Sequence, residues 1–165
     1  MSEKPNTFVL KQKLASLSGD AWIEDEAGQH VYEVDGRAFH VRRTIKLNDA
    51  AGKELFHISQ SLAHLHRTFE IKRDDKVVAT LKQGLVSIGD KFSIKLTDGG
   101  ELKAKGDIID YDFEIRRGND VVIHASHALV SAHDTYGVQV MPGFPPDLAM
   151  AIMIALEQMV AQDRS

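Results

Sequence analysis

Along most of the chain apolar and polar residues alternate one by one, and near its end the alternation stops. Phe39, Val41, Arg43, Ile45 and Leu47 fall on one side of an extended segment, with His40, Arg42, Thr44 and Lys46 on the other. Phe92, Ile94 and Leu96 oppose Lys91, Ser93, Lys95 and Thr97, and Phe113 and Ile115 oppose Asp112, Glu114 and Arg116. A strand points successive side chains to opposite faces, so each arm has one dry and one wet side. That is the pattern of an antiparallel sheet with water on one side only. Proline is absent between Pro5 and Pro142, which leaves the strands unbroken.

The arms recur in pairs. Ile23 before Asp25-Glu-Ala-Gly28 is echoed by Leu47 before Asp49-Ala-Ala-Gly52 and by Ile71 before Arg73-Asp-Asp-Lys76. Ile94 before Asp98-Gly-Gly100 and Ile115 before Arg117-Gly-Asn-Asp120 complete the series. Asp, Asn and Gly tolerate the left-handed backbone that tight turns require, so the series predicts five hairpins of similar size. A leading strand from Thr7 and a trailing one over Thr135–Val140 bring the number to about twelve, within roughly 7–141. A sheet of that size must close or split to protect its edges, and a closed twelve-stranded barrel is too wide for its own side chains to fill.

The filling is at the C-terminus. Leu148-Ala-Met-Ala-Ile-Met-Ile-Ala-Leu156 is apolar on every face, so as a helix it must be buried all round. Pro145, Pro146 and Asp147 make a good helix start, since proline fits the first turn and a carboxylate complements the positive end of the dipole. The helix is expected over about 145–163, threading the barrel. Arg43 and Arg73 fall in phase with inward-facing apolar residues; a buried Arg must be paired, and interior carboxylates or the polar helix end at Glu157 and Asp163 are the expected partners.

Composition narrows the function classes. The chain of 165 residues fits one domain over 1–165, with 43% apolar and 27% charged residues. A net charge of −4 offers no global positive field, so nucleic acid is not an expected partner. There is no cysteine, hence no disulfide and no thiolate chemistry. The nine-residue apolar run is too short to span a bilayer, and the N-terminus lacks the basic start and apolar core of a signal peptide. A cytoplasmic location is expected, peripheral to a membrane if lipid is bound.

The chain resembles the LURP-one-related family over nearly its whole length. The resemblance is carried by Phe8-Val-Leu-Lys-Gln-Lys-Leu-Ala-Ser16, by Ile23-Glu-Asp-Glu-Ala-Gly28 with Val31-Tyr-Glu-Val34, by Asp49-Ala-Ala-Gly-Lys-Glu-Leu-Phe56, and by Asp134-Thr-Tyr-Gly-Val-Gln-Val140 before the apolar helix. It implies the tubby C-terminal type of fold, mainly β, with a twelve-stranded barrel around a central hydrophobic helix. Related barrels include tubby, which binds phosphoinositide head groups at a basic outer surface, and the phospholipid scramblases. Asp134–Val140 is similar to the segment proposed to bind calcium in the scramblases, but Ala132 stands where a further acidic residue is expected. One carboxylate is a poor start for an ion that takes six or more oxygens.

Candidate chemistry is sparse. His64 and His66 share a strand face, and His124, His127 and His133 with Asp134 form a second cluster; neither has the cysteine or paired-carboxylate partners of familiar metal motifs. No nucleophile elbow, phosphate-binding loop or zinc-protease motif is present. The wet faces of three arms carry Arg42 and Lys46, Lys72, and Lys91 and Lys95, which together can hold phosphates if they converge and are otherwise a solvated face. The expected function is a non-enzymatic binding module, without cofactor, engaging anionic lipid or a phosphorylated ligand on the outer barrel. The alternative is a structural or regulatory protein acting through protein partners, with a metal-dependent enzyme third.

Overall fold

The computed structural model describes residues 4–12, 20–36, 44–61, 68–83, 92–131 and 133–163. Twelve strands follow one another: β1 (Asn6–Lys11), β2 (Asp20–Asp25), β3 (His30–Asp35), β4 (Thr44–Asp49), β5 (Glu54–Ser61), β6 (Thr68–Arg73), β7 (Lys76–Gln83), β8 (Phe92–Leu96), β9 (Glu101–Asp107), β10 (Asp112–Arg117), β11 (Asp120–Ser126) and β12 (Thr135–Val140). A 3-10 turn over His127–Leu129 precedes β12, and one helix, α1 (Pro146–Asp163), ends the described chain. Each strand pairs antiparallel with its sequence neighbours, and β1 pairs with β12 to close the barrel.

All five repeated turns are hairpins. They join β2 to β3, β4 to β5, β6 to β7, β8 to β9 and β10 to β11. Two of them close in the same way, on an aspartate whose Oδ1 takes two backbone N–H groups of the turn. Asp25 Oδ1 accepts from the Ala27 and Gln29 N–H groups, and Asp49 Oδ1 from those of Ala51 and Lys53. The β6–β7 turn has room for only two central residues, Asp74 and Asp75, both at positive φ, as the hairpin twist demands.

The repeat also marks the core. Ile23, Leu47, Ile71, Ile94 and Ile115 are fully buried, each on the first arm of its hairpin and facing inward. Odd-numbered strands lead away from the rim carrying the five short turns, and even-numbered strands lead back to it. The chain leaves β12 at that turn rim, and α1 then runs through the barrel to the opposite rim. Its residues Ala149 through Met159 are all buried, and it packs most closely against β5, β6 and β7. Over 18 residues it spans about 27 Å.

The expected inward Arg73 is corrected. It is the last residue of β6, where an inward-phase side chain emerges at the turn rim instead of entering the lumen, and it is exposed. Its guanidinium lies 4.4 Å from the centre of the Phe56 ring, a cation–π contact in place of the expected carboxylate. Glu157 sits at the other end of the helix and is engaged by Tyr111. Arg43 lies outside the described residues.

Candidate functional site

The barrel interior is occupied by the chain itself, so sites must be sought at the rims and on the outer face. Each rim has a tyrosine that grips the helix. At the turn rim, Tyr32 on β3 donates its hydroxyl to Asp147 Oδ1 at 2.7 Å, in the first turn of α1. Burial, then the hydrogen bond and charge of Asp147, push the Tyr32 phenol well above its ordinary range. At the opposite rim Tyr111, just before β10, donates to Glu157 Oε1 at 2.7 Å. Tyr136 stacks on Tyr111 with ring centres 4.3 Å apart. Its hydroxyl is fully buried and has no hydrogen-bond partner among the described residues. Burial, followed by the nearby Glu157 charge and Tyr111, raises the Tyr136 phenol well above its ordinary value.

The predicted basic residues divide. Lys46 on β4 is in register with His57 on β5, which is in register with Lys72 on β6. Strand spacing puts three nitrogen-bearing side chains across about 10 Å of outer surface. His57 Nδ1 lies 3.6 Å from Glu54 Oε1 at the edge of this row. Lys95 is elsewhere, in register with Thr80 on β7 and Glu101 on β9. Arg42 and Lys91 lie outside the described residues. A second row, which alternation alone does not reveal, runs Lys82, Ser93, Lys103 and Arg116 across β7 to β10. Arg116 in that row is turned to Glu114, with Nη2 and Nε at 2.6 and 2.9 Å from Oε2.

The histidines are dispersed over separate contacts. His124 faces outward on β11, in register with Glu114 and Gln139, and with Lys105 and Glu114 it lines an open groove of about 300 Å³. His127 Nδ1 lies 3.1 Å from Gln12 Nε2, and its ring meets Tyr111 edge-on. His133 and Asp134 approach each other at 3.5 Å while largely exposed. No group of three or more ligating side chains occurs among the described residues. His64 and His66 lie outside them.

The segment Asp134–Val140 has a structural explanation. Asp134 takes positive φ and its carbonyl accepts from the Gln12 N–H at 2.9 Å. Tyr136 fills the core, and Gly137 lets β12 pass against Leu129.

Trp22 is the residue that a search for charged and ligating side chains passes over. It lies on the outer face of β2 at 36% exposure, although Ala21 and Ile23 beside it are buried. The signal was present in the alternation, which puts the tryptophan in phase with Asp20 and Glu24.

Comparisons agree with this architecture. The X-ray structure of a protein from Arabidopsis thaliana superposes with a TM-score of 0.67 at 15% identity, covering 98% of this chain and 93% of that one. It shows a shared fold. The uncharacterized protein YxjI of Bacillus subtilis (strain 168) is 27% identical over 156 residues, covering 94% of each chain. No helix among the described residues is long and apolar enough to cross a membrane. The model of the LURP-one-related family matches residues 6–157, from the first strand to the buried helix, and the chain belongs to that family.

Proposed function

We propose that this protein is a non-enzymatic binding module that engages a phosphate-bearing ligand on its outer barrel surface, at the Lys46–His57–Lys72 row. The observation that carries this reading is the register that sets the three side chains next to one another on consecutive strands. Two ammonium groups flanking an imidazole supply several charged or ring N–H donors to one anion. The lumen supports an outer site, because among the described residues the buried side chains of α1 and the strands occupy it. The resemblance to tubby-type barrels, which use a basic outer surface for phosphoinositide head groups, points the same way.

The test is co-sedimentation with phosphatidylcholine vesicles containing a phosphoinositide, at low and at moderate salt. Retention at low salt that is lost in Lys46→Glu with Lys72→Glu is the expected result. Soluble inositol phosphate separates the sources: competition identifies the phosphate group as the ligand, and retention without competition identifies the bilayer surface. A wild-type protein that stays in the supernatant, or variants that sediment equally well, would leave the alternative of a protein acting only through protein partners.

A further inference from the structure

The sole tryptophan of the chain stands on the wet side of a strand. The barrel does not need it there. The dry side of β2 is already supplied by Ala21 and Ile23, and the Trp22 ring lies outside against His30, stacked at 4.7 Å with the planes 18° apart. That stacking orients the indole and restrains it before any partner arrives. On its own hairpin its charged neighbours are carboxylates, while lysines stand on the flanking strands, Lys46 on β4 in register with Asp35 and Lys11 at the end of β1. Glu33 is its direct cross-strand neighbour, and Asp20 and Asp35 face each other one step along the ladder. Glu24 follows on the same strand with a carboxylate oxygen 3.5 Å from His30 Nε2. Between residues 20 and 36 there is no lysine or arginine.

We propose that this face of the β2–β3 hairpin docks an arginine-bearing basic segment of a protein partner, with a guanidinium packed against Trp22 and its neighbours paired to Glu24 and Glu33. Tryptophan is the strongest of the aromatic faces for a cation. Arginine suits the site better than lysine because a planar guanidinium can stack on the indole and offer its edge to a carboxylate at once. The surface is an open sheet face with a single ring, which favours an extended chain over a small ammonium ligand that would need an aromatic cage. Positions 20, 22 and 24 recur at about 6.7 Å, the same-face repeat of any extended chain. A segment with a cation at every second residue therefore matches the spacing of Asp20, Trp22 and Glu24.

This face borders the basic row, because β3 pairs with β4 and Asp35 is in register with Lys46, while Trp22, Glu24 and Glu33 lie outside that row on β2 and β3.

A single tryptophan makes the test direct, because intrinsic fluorescence reports on Trp22 alone. A blocked nine-residue peptide alternating glycine and arginine should quench or shift that fluorescence saturably. The lysine counterpart should bind about threefold more weakly, and a glycine–glutamate counterpart should give no saturable change. Glu24→Gln with Glu33→Gln, melting as the wild type does, should weaken the arginine peptide about fivefold or more, and Trp22→Leu followed by calorimetry should do the same. Vesicle retention should be unchanged in both variants. The proposal is overturned if the arginine peptide gives no saturable signal, if lysine binds as tightly as arginine, or if both variants keep wild-type affinity.

Discussion

Tyr111 donates its hydroxyl to Glu157 at 2.7 Å, and the ring of Tyr136 lies beneath it at 4.3 Å with a hydroxyl that has no partner among the described residues. Two phenols in contact thus have opposite roles. Tyr111→Phe removes a donor from a carboxylate that is only 9% exposed, and should cost about 1–3 kcal/mol. Tyr136→Phe removes a buried group that nothing in the described residues satisfies, and should be neutral or stabilising by up to about 1–2 kcal/mol. Urea denaturation of the two variants checks this, and equal losses would contradict the difference in partnering.

Alkaline stability follows from the same group. The Tyr136 phenol holds its proton more tightly in the folded chain than in the unfolded one, because burial opposes the phenolate. Below about pH 10 both states keep the proton and the contribution is fully present. As pH rises past that value the unfolded chain ionises first, and stability falls by up to about 1.4 kcal/mol per pH unit until the folded group ionises too. Tyr32 acts in the same direction through its burial and Asp147. Denaturation at pH 9, 10 and 11 should show a steeper loss in wild type than in Tyr136→Phe; parallel curves would refute it.

The helix is the core, so a charge inside it is the most damaging single change. Ile152 and Ile154 are fully buried. An ionised carboxylate at either site has no partner supplied for it and costs several kcal/mol, a large part of the stability of an ordinary domain. Ile152→Asp and Ile154→Asp should lose the cooperative melt seen by circular dichroism. A folded, soluble variant with wild-type melting would show that α1 is not the filling of the barrel.

Gly137 tests the packing of the 3-10 turn. A Cβ there would stand 2.5 Å from Leu129 Cβ and 3.1 Å from Val130 Cγ1. The turn must move outward, taking with it the Ser126 hydroxyl that accepts from the Ala128 N–H at 3.1 Å. Gly137→Ala should destabilise by about 1–3 kcal/mol, the usual range for overpacking. Thermal melting decides it, and an unchanged midpoint would mean that the turn yields freely.

Much of the barrel was legible in one dimension because its units are local. Alternation depends only on the pleat, and a tight turn depends on residues a few positions apart, so Ile23 with Asp25 or Leu47 with Asp49 announces an inward position and the turn after it. The buried helix was equally plain, since no face of Ala149–Leu156 can meet water. Arg73 misled because phase alone does not say where a strand stops being covered. At the last residue of β6 the inward direction already opens onto the rim.

By itself the sequence determined which residues are strand, which are turn, which face of each strand is dry, and that something apolar must fill the barrel. These follow from periods of two and from backbone preferences, both properties of neighbours in the chain. Only the tertiary structure decided who stands beside whom. Lys46, His57 and Lys72 share a row while Lys95 does not, because register is set by the lengths and bulges of the intervening hairpins. Tyr32 reaches Asp147 across 115 positions, and Tyr111 reaches Glu157 across 46. No local pattern encodes such a pairing, since each carboxylate meets its tyrosine only after twelve strands have closed around the helix.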